Sequence, residues 1–292
     1  MKKILSTIVM AIMLIVSLFS FTACGEDLVD VKLNFKKGNG ETVTIKYTLY
    51  RHLAEDSVDQ FIDLAEDGYF NNAIMYRSDL QGGAVMFGQY KFVNGNLVKN
   101  ADVATIKGEF PKGGVVGSDL KANKGNMCVW RWWDAGSSLD YSGFNTGSCG
   151  NIVIPSTSGL FNDAQTSSTT VAVFGVYDSD SKNDLFDLIN SNDEIWSDAD
   201  TYYVFYTITD GVVSANPVIL SEDDYEAMVE DGVYTISTVD ANGKELIIAE
   251  YDVLDPVDDD VDSAYKSSKY QVTKLTIPTA ENRIVLSSIS IG

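Results

Sequence analysis

The sequence predicts a mainly β protein, a closed antiparallel barrel with its ends plugged, and three patterns carry that expectation. Residues 28–35 (LVDVKLNF) and 42–49 (TVTIKYTL) alternate apolar and polar side chains around Lys37-Gly38-Asn39-Gly40, as two antiparallel strands joined by a short turn do. Residues 57–68 put Val58, Phe61, Ile62, Leu64 and Ala65 at helical spacing between a capping Ser57 and a terminating Gly68. Residues 73–92 and 127–175 are short apolar or aromatic runs separated by Gly, Ser and Asn clusters, which suits the short strands of a barrel or sandwich.

Composition narrows the function. The 292 residues are 45% apolar and 22% charged, an ordinary globular balance that excludes a disordered or collagen-like polymer. A formal charge of −21 repels a phosphate backbone, so nucleic acid is not an expected partner. Three cysteines and the single His52 provide no Cys/His cluster for zinc, and a Ser-His-Asp arrangement would have to use that one imidazole.

The remaining elements follow in chain order. Met1-Lys2-Lys3 precedes an almost continuous apolar run over residues 4–21 that ends Phe21-Thr22-Ala23-Cys24, the pattern of a secretory signal. Small residues before a cysteine resemble a bacterial lipobox, with Phe21 where Leu is usual, so residues 1–23 are expected to be removed and Cys24 acylated. An uncleaved membrane anchor is the alternative. The mature chain then carries 19 basic and 42 acidic side chains, −23. It is therefore expected to meet the membrane only through the acyl chains. In an extracytoplasmic setting Cys128 and Cys149 could pair. Residues 185–189 suggest a second short helix. Beyond residue 190, segments 201–209 and 212–220 flank Asp210-Gly211, and 233–239 and 245–251 flank Asn242-Gly243, both strong hairpin signals. The Asp178–Asp184 stretch lacks the glycine and distal glutamate of a calcium loop and reads as a solvated turn. The acidic run at 255–262 reads as an exposed segment. Residues 283–291 form a last alternating strand.

Residues 57–77, SVDQFIDLAEDGYFNNAIMYR, resemble the cyclophilin peptidyl-prolyl isomerases, whose pattern there is T-V-x-N-F-x-x-L-x-x-x-G-Y-Y-x-x-x-x-F-H-R. Further anchors follow in family order: Gly108-Glu109-Phe110, then 124–129 (KGNMCV), 150–154 (GNIVI) and 173–176 (VFGV). The resemblance implies an eight-stranded barrel with two helices, made of residues 24–190 plus 283–292, with 191–282 an inserted β-hairpin subdomain before the last strand. It also implies a monomer acting on proline-containing polypeptides at the outer face of the cell membrane.

An X-Pro bond isomerises over a barrier of about 18–20 kcal/mol set by amide resonance. Its catalysis needs no nucleophile, metal or cofactor, only a pocket that binds the twisted amide more tightly than either planar form. A fixed cation donating to the prolyl nitrogen suits this, and arginine is always charged. By resemblance, Arg77 takes the catalytic role and Gln89 assists it. Met86, Phe87, Met127, Trp130, Asn151, Val153 and Phe161 line the substrate site. Placing Met86-Phe87-Gly88-Gln89 on the family's F-M-x-Q strand keeps the glutamine, whereas Val85-Met86-Phe87-Gly88 loses it, and both registers stand. Asn151 replaces a family glutamine, Val153 the pocket phenylalanine and Val171 the pocket histidine. Trp130-Arg131-Trp132-Trp133 forms a peptide platform in one reading and packs under its own loop in the other. Two functions remain open: a prolyl isomerase, and a weak or inactive cyclophilin-like module that binds peptides or proteins.

Overall fold

The computed structural model describes residues 28–78, 84–110, 120–129, 145–161, 171–190, 194–209, 212–213, 217–231, 233–239, 245–252 and 270–292. The signal segment, Cys24, Trp130 with its loop, and the 255–262 acidic run lie outside the described residues.

The first two strands, β1 (Leu28–Lys37) and β2 (Thr42–Tyr50), pair antiparallel from Leu28↔Tyr50 to Lys36↔Thr42. Val31, Leu33, Phe35, Ile45, Tyr47 and Leu49 are buried on one face, while Lys32, Lys46 and Thr44 are exposed on the other, as strand alternation requires. Helix α1 (Glu55–Glu66) starts ahead of the expected cap. Ala54 is its N-cap and offers no side-chain bond. Glu109, distant in sequence, does that work instead: its carboxylate accepts from the N–H of Asp56 (2.9 Å), the N–H of Ser57 (2.8 Å) and Ser57 Oγ (2.6 Å), satisfying donors the helix itself leaves open. Phe61 packs its ring 5.2 Å from Phe70 and 5.5 Å from Phe174. Gly68 follows the helix with φ +72°, the left-handed terminator read from the sequence.

The chain continues through β3 (Ala73–Ile74), β4 (Arg77–Ser78), β5 (Ala84–Phe87), β6 (Tyr90–Val93), β7 (Asn96–Lys99), β8 (Ile106–Lys107), β9 (Met127–Val129), β10 (Asn145–Gly147), β11 (Ile152–Pro155) and β12 (Val173–Tyr177). Helices α2 (Lys182–Ile189) and α3 (Glu194–Ser197) lead to β13 (Ala199–Thr209), β14 (Val212–Val213), β15 (Val218–Ser221) and α4 (Glu222–Asp231). The hairpin β16 (Val233–Val239) and β17 (Glu245–Asp252) comes next, then β18 (Tyr270–Pro278) and β19 (Ile284–Ile291).

The main sheet has ten strands in the order β5-β11-β9-β12-β2-β1-β19-β3-β6-β7. It is a strongly curled antiparallel half-barrel, not the closed eight-stranded barrel expected. Two departures explain the difference. The β6–β7 hairpin takes the free edge of β3 through Ala73↔Lys91. Beyond β3 the chain is joined to β5 by an isolated bridge of two hydrogen bonds between Tyr76 and Met86 (2.9 and 2.8 Å). It then leaves as β4 to pair with β18. The last strand does join this sheet, β19 lying against β1 from Val31↔Ile291 to Lys37↔Ile284.

Between α3 and β19, β13 pairs with β18 from Ala199↔Pro278 to Thr207↔Tyr270 and on its other side with β15. The β16–β17 hairpin forms where its turn signal lies. Helix α4 was not anticipated, although Ser221 caps it by accepting from the N–H of Asp224 at 3.2 Å. Because β18 is bonded to β4, the β13–β18 sheet is continuous with the chain that leaves the half-barrel.

Two cores result. In the first, residues of β1, β2, α1, α2 and β19 pack with Met75, Val85, Phe87, Met127, Ile152 and Phe174. On the opposite side of the pleat, Ile74, Tyr76, Met86, Cys128, Val153 and Val173 pack with Val204 and Tyr206 of β13 and Leu275 and Ile277 of β18. Cys128 and Cys149 are both buried and free, one in each core.

Candidate functional site

Strand periodicity decides which side chains meet. Along 74–77, Ile74 belongs to the second core, Met75 to the first and Tyr76 to the second, so residue 77 falls back on the first-core side. The same alternation along β5 and β11 gives Met86 and Val153 to the second core but Phe87 to the first, and β9 buries Met127 in the first core with Cys128 opposite. Of the expected pocket residues, Met86, Asn151 and Val153 are therefore grouped, with Phe161 packed at the edge of their core. Phe87 and Met127 are one residue out of phase and point away from it.

Gln89 joins this group. Asn151 Nδ2 donates to Gln89 Oε1 at 3.1 Å and lies 3.8 Å from Met86 Sδ. Tyr76 Oη lies 2.8 Å from Asn151 Oδ1 and 3.2 Å from Gln89 Oε1. Tyr76, which the sequence reading passed over, is the residue that completes the cluster. Burial pushes its phenol far up, so it remains a neutral donor. Its ring meets Tyr90 edge-on at 5.0 Å, and the Tyr90 and Tyr206 hydroxyls are 3.3 Å apart, linking the cluster to β13. Gln89 and Asn151 also border a small cavity of about 70 Å³ with Tyr69, Lys99, Asp102 and Gly150. Tyr69 Oη is 3.2 Å from the carbonyls of Ala101 and Gly150, and Lys99 pairs with Asp102.

Arg77 lies elsewhere. Its Nη2 donates to the carbonyl of Ile189 at 3.2 Å, at the C-terminus of α2, and its guanidinium carbon sits 4.2 Å over the Trp196 ring of α3. Nε is buried without a hydrogen-bond partner. Burial pulls the group down to about 10, so it is still a cation at neutral pH. A positive charge at a helix C-terminus and over an indole face is stabilising, and this is the geometry of a latch between β4 and α2–α3.

The wall around the cluster is buried and apolar. Met86 is 2% exposed and Val153 1%, and Val171 belongs to the same core. Among the described residues no group of three or more His, Cys, Asp or Glu is placed to hold a metal ion. What remains chemically is a neutral amide and phenol network beside a small polar opening.

No protein-family model matches this chain, and no curated protein matches it. Solved structures similar to it include a cyclophilin-type peptidyl-prolyl cis-trans isomerase of Cryptosporidium parvum, at 16% identity over 67% of this chain and 99% of that one, with a TM-score of 0.37. A structure of the same kind of isomerase in the presence of the dipeptide Ala-Pro matches at 15% identity over 66% and 99% of the two chains, with a TM-score of 0.31.

Proposed function

We propose that this chain is an exported, lipid-held binding module with the sequence imprint of a cyclophilin, in which prolyl isomerisation has been lost. One observation carries the reading: the side chain that shares a face with Met86, Gln89, Asn151 and Val153 is the neutral Tyr76, while the Arg77 cation is engaged by Ile189 and Trp196. A twisted amide gains from a cation aimed at its nitrogen, and a phenol already donating to Asn151 does not provide one. The inserted residues Val204, Tyr206, Leu275 and Ile277 pack in the core where a pyrrolidine ring would need space. Binding of extended chain segments is supported by the opening at Gln89 and Asn151, whose amide groups and the nearby Lys99–Asp102 pair offer donors and acceptors to a peptide backbone.

The isomerase reading keeps one specific support, the retained Met86 and Gln89 in contact with Asn151. Protease-coupled isomerisation of proline peptides by the mature chain separates the two. The module reading expects rates equal to the uncatalysed background for the parent and for Arg77→Ala. Turnover by the parent that Arg77→Ala abolishes, with folding intact, would restore the enzyme.

A further inference from the structure

We infer that the rim where β1 begins and β2 and β19 end is the face this protein sets against the phospholipid surface; this rests on reading Cys24 as the acylated anchor. Three residues, Gly25, Glu26 and Asp27, separate Cys24 from Leu28, where β1 starts. Fully extended, that stretch spans at most about 14 Å. The ten-residue strand it holds is about 30 Å long. A tether shorter than the strand leaves this rim nearest the bilayer.

The rim is built for that position. Leu28 is 48% exposed and Ile291 36%, two of the four exposed large hydrophobics among the described residues. Leu28 lies opposite Tyr50 and Ile291 opposite Val31, and the N–H of Gly292 donates to the Asp30 carbonyl at 2.8 Å, so these side chains are fixed at one end of the sheet. Leu and Tyr at a strand end match the apolar-to-headgroup boundary. A groove of about 350 Å³ opens there, lined by Lys32, Lys46 and Ile291 among others, with Asp30 and Asp178 also in its wall. Charge does not oppose that placement. In the groove wall Lys32 and Lys46 balance Asp30 and Asp178, a locally neutral patch in a mature chain of −23. Anionic headgroups repel such a patch less than they repel the acidic remainder of the surface.

The test uses the full acylated chain in phosphatidylcholine–phosphatidylglycerol vesicles containing brominated lipid. A fluorophore is attached to Leu28→Cys, to Ile291→Cys or, at the far end of β1–β2, to the exposed Glu41→Cys. The native Cys128 and Cys149 are buried and do not compete for label. Quenching at least about threefold greater at 28 and 291 than at 41 is expected. Equal quenching at all three sites, in protein whose mass spectrum shows acyl chains on Cys24, overturns the rim assignment alone. A mass spectrum without acyl chains overturns the anchor and the rim assignment with it.

Discussion

If Arg77 is a latch, its removal is felt as stability rather than turnover. In Arg77→Ala the bond to the Ile189 carbonyl is lost; at 3.2 Å it belongs at the weak end of charged hydrogen bonds, about 1.5 kcal/mol. The stacking on Trp196 at 4.2 Å is worth about 0.5–2 kcal/mol, and the charge at the end of α2 about 0.3–1 kcal/mol. Opposing these, the desolvation cost of the guanidinium and of its buried, unbonded Nε is removed together with the side chain. The net loss is about 1–2 kcal/mol, which lowers the melting temperature by about 2–8 °C at this chain length. Arg77→Met keeps the apolar stem against Trp196 and discards Nε, so its loss stays below about 1 kcal/mol. Thermal unfolding by circular dichroism, on mature chain carrying Cys24→Ser, measures both. An Arg77→Ala protein that melts within 1 °C of its parent, or a methionine variant as damaged as alanine, would refute the latch.

Tyr76→Phe removes the 2.8 Å donor to Asn151 and leaves a buried acceptor unpaired, at a cost of about 1–3 kcal/mol in urea unfolding; Tyr90→Phe, with its 3.3 Å partner, should cost less, and the reverse order would count against the cluster. Glu109→Gln replaces a carboxylate that accepts three bonds at the start of α1 and should destabilise by about 1–3 kcal/mol. Burial raises the Glu109 carboxyl, with the Ser57 and Asp56 donors pulling back. The stability this contributes is present below the unfolded carboxyl value of about 4.3 and lost as pH rises through the raised folded value. The parent's advantage over Glu109→Gln should therefore shrink from pH 4 to pH 7, and an advantage that grows would show the sign to be wrong. Burial also pushes the Cys128 and Cys149 thiols up, so Ellman's reagent at pH 8 should find neither in the native Cys24→Ser protein and both after unfolding.

Local periods were legible and non-local decisions were not. The β1–β2 hairpin, α1, the β16–β17 hairpin and β19 follow from residues adjacent in sequence, where alternation or helical spacing is a direct print of one buried face. Helix α4 escaped because its apolar positions are few: its first turn is Glu222, Asp223 and Asp224, and Tyr225 stacks on Tyr203 at 3.8 Å from the far side of β13. Its Ser221–Asp224 cap was the available signal. The Glu109 cap on α1 was invisible for another reason, since 52 residues separate Glu109 from Ser57. Closure of the barrel depends on which edges find partners, and no local pattern shows that β6–β7 takes the edge of β3 while β4 leaves for β18.

The site turns on a smaller matter, the phase of one strand. A motif match aligns residue types, and on types alone Arg77 is the only cation at the end of IMYR. Function depends instead on the face, which reverses with every residue along a strand, so an assignment displaced by one position delivers the side chain to the opposite core. The phase here is set by two anchors outside the motif: Met75 buried in the first core, and the paired hydrogen bonds between Tyr76 and Met86. With both in place, Tyr76 can only point toward Gln89 and Asn151. Restoring a cation to that face would require Tyr76→Arg together with removal of the Tyr206 side chain that β13 packs into the same core. The loss of catalysis proposed here is thus a property of two elements at once, and no single substitution at position 77 can undo it.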